Sequence, residues 1–269
     1  MGDGYGFIGA GQMARAMASG FTSAGLVPDR QIFVADPSPD AAHDFSSVVG
    51  QPQIMGSNAE VVEAADVIFL AVKPQVIGRV AADLKKVKKE GRLFVSILAG
   101  ISLTTLTDGL GTDRVIRVMP NTPCLVRAGA AAYSLGSGAT IEDGKRVAEL
   151  LGCVGVAIEL EESQLDAVTG LSGSGPAYVY TMIEALSDGG VRMGLPRAAA
   201  TVLAAQTVLG AARMVIETED HPAPLREQVT SPGGTTISGL QVLEQRGFRA
   251  ALMDAVQAAT ERSKELGRT

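Results

Sequence analysis

Tyr5-Gly6-Phe7-Ile8-Gly9-Ala10-Gly11-Gln12-Met13-Ala14 decides the fold. Tyr5 to Ile8 has the apolar character of a short buried strand. Gly9, Gly11 and Ala14 then match G-x-G-x-x-A, and a small-residue helix follows from Gln12 to Ala24. A strand running into such a turn and then a helix is the setting in which dinucleotides bind. Gly9 permits the tight turn, Gly11 lets backbone approach a pyrophosphate, and Ala14 lets helix and strand lie close. The anion would rest on unpaired N–H groups at the positive end of the helix dipole. A ligand-free glycine-rich turn is the plain alternative.

Working outward, the first half alternates strand and helix. Strands are expected at 31–35, 53–55, 66–72, 93–98 and 114–119. Helices are expected at 39–47, 59–65, 75–88 and 102–110. This alternation predicts an α/β, Rossmann-like, doubly wound parallel sheet. Two further strands, 128–135 and 154–158, flank a helix at 141–151. After about Glu161 helical periods take over, at 164–169, 176–193, 196–217, 235–246 and 248–266. The expected domains are therefore 1–160, binding the dinucleotide, and 161–269, all-helical. Val202, Leu203, Ala204, Ala205, Val208, Leu209, Ala211 and Ala212 leave no polar stripe on one long helix, and such a helix is buried. An intertwined homodimer is the predicted partner of that surface.

The bulk properties narrow the function. The 269 residues are 46% hydrophobic and 19% charged, with net charge −6. We find no basic run to hold a phosphate backbone, so nucleic acid is not an expected partner. Apolar runs such as Val67–Val72 are too short for a bilayer, and no membrane partner is expected. No secretory signal fits before the first strand, which makes cytoplasm the default compartment. Cys124 and Cys153 are the only cysteines and His43 and His221 the only histidines, so neither a disulfide framework nor a zinc site is expected.

Several residues could carry chemistry. Asp36 ends the second strand, 25 residues beyond Gly11. An acid there can accept from ribose hydroxyls and repel a 2′-phosphate, and no Lys or Arg follows in Pro37-Ser38-Pro39-Asp40, so NADH is favoured over NADPH. Lys73 of Val72-Lys73-Pro74, Asn58 and Ile97-Leu98-Ala99 fall at strand ends, on the ligand edge of such sheets. Pro120-Asn121-Thr122-Pro123 should form a rigid turn at the same edge. The helical half has no lysine between Lys145 and Lys264, and its one histidine, His221, precedes Pro222 in an expected loop. Reducing a ketone needs a strong acid at the forming alkoxide, and only Tyr178 and Tyr180 remain. An imine nitrogen is basic enough to carry its own proton, so an imine substrate is favoured. Leu171-Ser172-Gly173-Ser174-Gly175-Pro176-Ala177-Tyr178 and Val229-Thr230-Ser231-Pro232-Gly233-Gly234-Thr235-Thr236-Ile237 interrupt the apolar helices. In each, glycines and hydroxyls at a helix N-terminus suit a carboxylate or phosphate. The alternative is close packing with hydroxyl capping. Ser172 and Ser174 are the candidate substrate contacts of the first segment. The second carries more hydroxyls than a cap requires, and anion binding is favoured there.

Together these segments, with Phe69-Leu-Ala-Val-Lys-Pro74, Asp188-Gly-Gly-Val191 and Met193-Gly-Leu-Pro196, closely resemble the pyrroline-5-carboxylate reductase family over nearly the whole chain. The resemblance implies hydride transfer from NAD(P)H to the imine carbon of (S)-1-pyrroline-5-carboxylate, giving L-proline. It implies that Ser231, Gly233, Gly234 and Thr235 hold the substrate carboxylate, largely through backbone N–H groups, with Thr236 beside the ring nitrogen as proton relay. Carried over by position, the cofactor contacts are Ile8, Gly9, Ala10, Gly11, Gln12 and Met13, then Asp36 and Asn58, then Ala71, Val72, Lys73 and Pro74, and Ile97, Leu98 and Ala99. It also implies a dimer interlocked through the helical half, five of which form a decamer in many members, and the substrate loop then meets a cofactor on the other subunit. Many members have a small polar residue in place of Asp36. A β-hydroxyacid dehydrogenase-like enzyme shares the opening turn, but would carry a lysine on the helix at 176–193, which has none. A non-catalytic nucleotide sensor would not need the segment at 231–236.

Overall fold

Phe7 and Ile8 are neighbours on β1 (Tyr5–Ile8), and they enter two different cores. Successive side chains of a strand point to opposite faces, so the central sheet must be covered on both. The structure, a computed structural model, describes residues 4–267. These gather into two units, one of residues 4–174 with 258–267 and one of residues 175–257.

The first unit holds one sheet. Beside β1 lie β2 (Ile32–Ala35), β3 (Gln53–Ile54), β4 (Val67–Leu70), β5 (Leu93–Ser96), β6 (Val115–Met119), β7 (Gly129–Leu135) and β8 (Gly155–Glu159), in the order β3-β2-β1-β4-β5-β6-β7-β8. Its helices are α1 (Gln12–Ser23), α2 (Pro39–Val49), α3 (Asn58–Ala64), α4 (Ile77–Asp83), α5 (Leu103–Leu110), α6 (Ile141–Gly152) and the single turn α7 (Leu165–Val168). One face packs Phe7 and Phe69 on Phe21 of α1, Phe45 of α2 and Val147 of α6, with the Phe7 and Phe69 rings stacked at 4.9 Å. The other packs Ile8, Ile68 and Phe94 on Val61 of α3, Val80 of α4 and Leu106 of α5. The doubly wound arrangement expected from the alternation is therefore present. Two strands differ: β8 runs parallel to β7, and β7 runs antiparallel to β6. Only residues 120–128 join β6 to β7, too few for the crossover that parallel pairing demands.

The register fixes where ligands can reach. Ile8 pairs with both Ala35 and Leu70, Leu70 pairs with Ser96, and Ser96 with Arg117. The loops after β1, β2, β4, β5 and β6 thus open at one carboxyl edge. The opposite edge carries Lys85-Lys86-Val87-Lys88-Lys89-Glu90-Gly91-Arg92, a basic run that contradicts our expectation of none. It also ends the helix expected over 75–88. A turn at Pro74–Val76 precedes α4, which stops at Asp83, and the Lys89 ammonium caps the carbonyls of Leu84 and Val87 at 2.5 and 3.2 Å.

The second unit is wholly helical. It contains α8 (Gly175–Arg192), α9 (Arg197–Thr218), α10 (Pro222–Gln228), α11 (Thr235–Gln245) and most of α12 (Phe248–Leu266). α8 and α9 are fastened by Arg197, which pairs with Asp188 at 2.6 Å and donates to Ser187 at 3.0 Å. α10 stands where we expected a loop. His221 caps it, its Nδ1 accepting from the Ala223 N–H, and Pro222 fits the first turn, where no donor is needed. By length and composition alone the 22 residues of α9 could cross a bilayer, a helix that the reading of short apolar runs did not consider.

Candidate active site

At the carboxyl edge, Gly9 sits at φ +99°, and a β-carbon there would stand 2.7 Å from the Ala71 carbonyl. Only glycine fits on both counts. Gly11 differs. It caps α1 in an ordinary conformation, and a β-carbon there would meet only the Ala71 oxygen, at 4.0 Å. Gly11 thus keeps an approach to the backbone open rather than relieving a clash. No side chain caps α1, and its first turn holds no acid. Its first N–H groups are left for an external acceptor, as an anion cradle requires. Asp36 is bound into this turn: Oδ2 accepts from the Ala10 N–H at 2.8 Å and Oδ1 from the Ser38 N–H at 2.9 Å.

The other candidates ring the same edge. The Ala71 N–H donates to the Ile8 carbonyl at 2.9 Å, which ties the loop after β4 to the end of β1. Val72 and Pro74 are half-buried and Lys73 exposed, with Lys73 leading the Pro74–Val76 turn. Ile97 is held to Leu70 at 3.2 Å, Leu98 is buried, and Ala99 is exposed. Asn58 opens α3, and its amide donates to Asp83 of α4 at 3.1 Å. Ile8 and Ala10 are buried, Gln12 is exposed and Met13 half-buried. The structure therefore brings every cofactor candidate to one edge of the first unit.

The two glycine-serine segments behave differently. Residues 229–237 form a true helix N-terminus. Gly234 caps α11 with no side-chain hydrogen bond, Gly233 adopts the left-handed φ of +66°, and the Gly234 N–H closes a turn onto the Ser231 carbonyl at 3.1 Å. The hydroxyl-capping alternative is thus absent: Ser231, Thr235 and Thr236 surround N–H groups that none of them caps. The segment at 171–178 does lead into a helix, α8 at Gly175, but that helix is entered from a π-turn and not from an open loop. α7 passes into a π-turn at Thr169–Gly173 and then α8, and Ser172 donates its hydroxyl to the Val168 carbonyl at 3.1 Å. Ser174 is half-buried, its N–H closing the π-turn on Thr169 at 2.9 Å.

Two of the alternative acids in the second unit are committed elsewhere, and the third, Tyr180, is exposed. Tyr178 donates to the Ala255 carbonyl at 3.3 Å, and His221 is the α10 cap. That unit contains no lysine, as an imine substrate allows.

Two family models match. One, described as NADP oxidoreductase coenzyme F420-dependent, covers residues 4–100, and the other, pyrroline-5-carboxylate reductase dimerisation, covers 162–266. A pyrroline-5-carboxylate reductase of Arabidopsis thaliana is 50% identical over 264 residues, covering 98% of this chain and 95% of that protein. The chain belongs to the pyrroline-5-carboxylate reductase family. A solved reductase from Coxiella burnetii superposes with TM-score 0.90 at 36% identity, over 99% of both chains. One from Plasmodium falciparum, solved with NADP bound, does so with TM-score 0.87 at 35% identity, over 98% of both. The function is accordingly that of an NAD(P)-dependent pyrroline-5-carboxylate reductase in proline biosynthesis, and the dimerisation region fits an oligomer.

Within this reductase, one bond and one side chain escaped the sequence reading as parts of the site. Ala10 was expected as a cofactor contact, but nothing local announced its bond to Asp36. Asn121 was placed only in a turn, yet it is buried and bridges two segments. Its Oδ1 accepts from the Ala130 N–H at 2.8 Å, and its Nδ2 donates to the Ser172 carbonyl at 3.1 Å. The proline-flanked turn after β6 was the available signal.

Proposed function

We propose that this chain reduces (S)-1-pyrroline-5-carboxylate with NADH in preference to NADPH, using the residues of its two glycine-capped helix ends. When bound, the dinucleotide supplies the hydride. The chain's own part is to bind, orient and manage one proton. Gly9 to Met13 hold the pyrophosphate on the open N-terminus of α1. The carboxylate of Asp36, already oriented by Ala10 and Ser38, accepts from the ribose hydroxyls and repels a 2′-phosphate. Asn58, Ala71 to Pro74 and Ile97 to Ala99 line the rest of the dinucleotide's path.

Ser231, Gly233, Gly234 and Thr235 bind the substrate carboxylate on the open N-terminus of α11. Thr236 lies beside the ring nitrogen and exchanges its proton, and Ser172 and Ser174 complete the substrate side. The observation that carries this reading is the uncapped start of α11 among three hydroxyl residues. The domains divide at 160/161, the helical one joins two copies into a dimer, five dimers make a decamer, and the enzyme works in the cytoplasm. Following NADH absorbance with pyrroline-5-carboxylate tests the assignment. Saturable oxidation, more efficient with NADH than with NADPH, is the expected result. A preference for NADPH would turn Asp36 away from the ribose, and no oxidation at all would overturn the substrate.

A further inference from the structure

A π-turn is uncommon and is seen mostly as single-turn bulges, frequently at functional sites. The one at Thr169–Gly173 has a cause four residues beyond its carbonyls. In an unbroken α-helix, the Ser172 carbonyl would accept from the N–H of residue 176. Residue 176 is proline, which has none. Ser172 is half-buried, and a carbonyl shielded from water without a donor is costly. The donor that the structure supplies is Asn121, 51 residues earlier, whose Nδ2 lies 3.1 Å from that oxygen. The Ala130 N–H donates to the other end of the same amide at 2.8 Å, so the two partners fix which end is oxygen and which nitrogen. Packing agrees with this seat. A β-carbon on Gly173 would stand 2.6 Å from the Met119 methyl, so the turn lies directly on the last residue of β6. That residue is at the sheet edge where the glycine turn, Asp36 and the loop after β5 also open.

We infer that Asn121 is a positioning residue: it gives the Ser172 carbonyl the hydrogen bond that Pro176 cannot, and so seats the π-turn, with Ser174, on the carboxyl edge of β6. The inference rests on the proposal that Ser172 and Ser174 face the substrate. Its experiment keeps the two separable. Steady-state kinetics are run on the full-length oligomeric enzyme carrying Asn121→Asp, Asn121→Ala, Pro176→Ala, or the last two together, with NADH affinity and Tm measured alongside. Asn121→Asp keeps the bond from Ala130 and sets a carboxylate against the Ser172 oxygen. It is the deciding variant should Asn121→Ala fail to fold.

The expected result is a KM for pyrroline-5-carboxylate raised about tenfold in Asn121→Asp, with NADH affinity within about twofold of wild type. Pro176→Ala restores an N–H at 176 and regularises the turn, so the double variant should be no worse than its poorer single, since both changes act through one carbonyl. An unchanged KM in folded Asn121→Asp, additive defects, or NADH affinity falling in step with KM would each overturn the role. Ser172→Ala and Ser174→Ala divide the readings. If either raises KM while Asn121→Asp does not, the positioning role falls. If Asn121→Asp raises KM while neither serine variant does, the serine contacts fall and the positioning role stands.

Discussion

β4 and α9 are both apolar, and they meet opposite fates. Every residue of β4 is buried. α9 buries only Ala200 and Ala204 of its 22 residues, and it leaves Leu203 at 56% and Ile216 at 72% exposure. The sheet unit makes its own two cores, while the helical unit presents apolar surface that one chain does not cover. Apolar sequence thus reports that a segment will be buried, not which chain will bury it. A dimer covering α9 breaks under a charge there. We expect Leu209→Glu to give monomers in analytical ultracentrifugation and to lower kcat/KM by a hundredfold or more, since burying an unpaired carboxylate costs several kcal/mol. NADH binding should survive, because the sheet unit's cores are self-contained. An oligomer that persists with full activity would mean α9 faces something other than a second copy.

The two glycine-capped helix ends offer a second contrast. α1 opens beside buried Ala10 and a bound acid, Asp36, whereas α11 opens among exposed Ser231 and Thr235. If α1 takes the cofactor and α11 the substrate, their defects must separate. Thr236→Ala should lower kcat about a hundredfold while NADH affinity stays within about twofold, the size expected for losing a proton-transfer partner. A collapse of NADH affinity instead would assign α11 to the cofactor. Asp36→Ser should do the reverse, shifting the NADH-over-NADPH efficiency ratio about tenfold towards NADPH with kcat little altered, as for one charge-assisted contact to the ribose. No shift would leave Asp36 as a brace for the turn alone.

The parts legible in sequence were those that short-range rules govern. β1 to β6 show as apolar runs closed by turn residues, and the Gly9 turn shows because a left-handed glycine after a strand has few other uses. Helix ends failed where side chains decide: Lys89 reaching back to Leu84 stops α4, and His221 turning onto Ala223 starts α10. The direction of β7 depended on the length of a connection, which was visible but not weighed. Within the site, Ser231 to Thr236 could be read because glycine and hydroxyls are adjacent in the chain. The Asn121–Ser172 and Ala10–Asp36 bonds could not, since each joins residues that only the fold brings together.

Asp36 and Asp143 sharpen that difference, as both are acids holding backbone N–H groups and only one stands at the ligand edge. Asp143 is buried. It accepts from Arg114 at 3.0 and 2.6 Å and from the Thr140 N–H at 2.9 Å, while its own N–H donates to the Thr140 hydroxyl, closing a capping box at the start of α6. Arg114 also holds the Gly91 carbonyl at 2.6 Å, so this cluster fastens the amino end of the sheet. The Arg114 guanidinium, helped by Thr140 and opposed by burial, lowers the Asp143 carboxyl from 3.8 to about 2. A lowered carboxyl stabilises the fold fully above its unfolded value, and that stability is lost as pH falls through the folded one. Asp143→Asn should therefore cost about 2 kcal/mol at neutral pH, lowering Tm by about 5 °C, with kcat/KM unchanged. The Tm gap between variant and wild type should narrow below about pH 4 and close near pH 2. A gap constant across that range would mean the cluster works through shape and not charge. A loss of kcat/KM in the folded variant would mean that the amino end of the sheet reaches the chemistry after all, and that the division between a fastening edge and a binding edge is wrong.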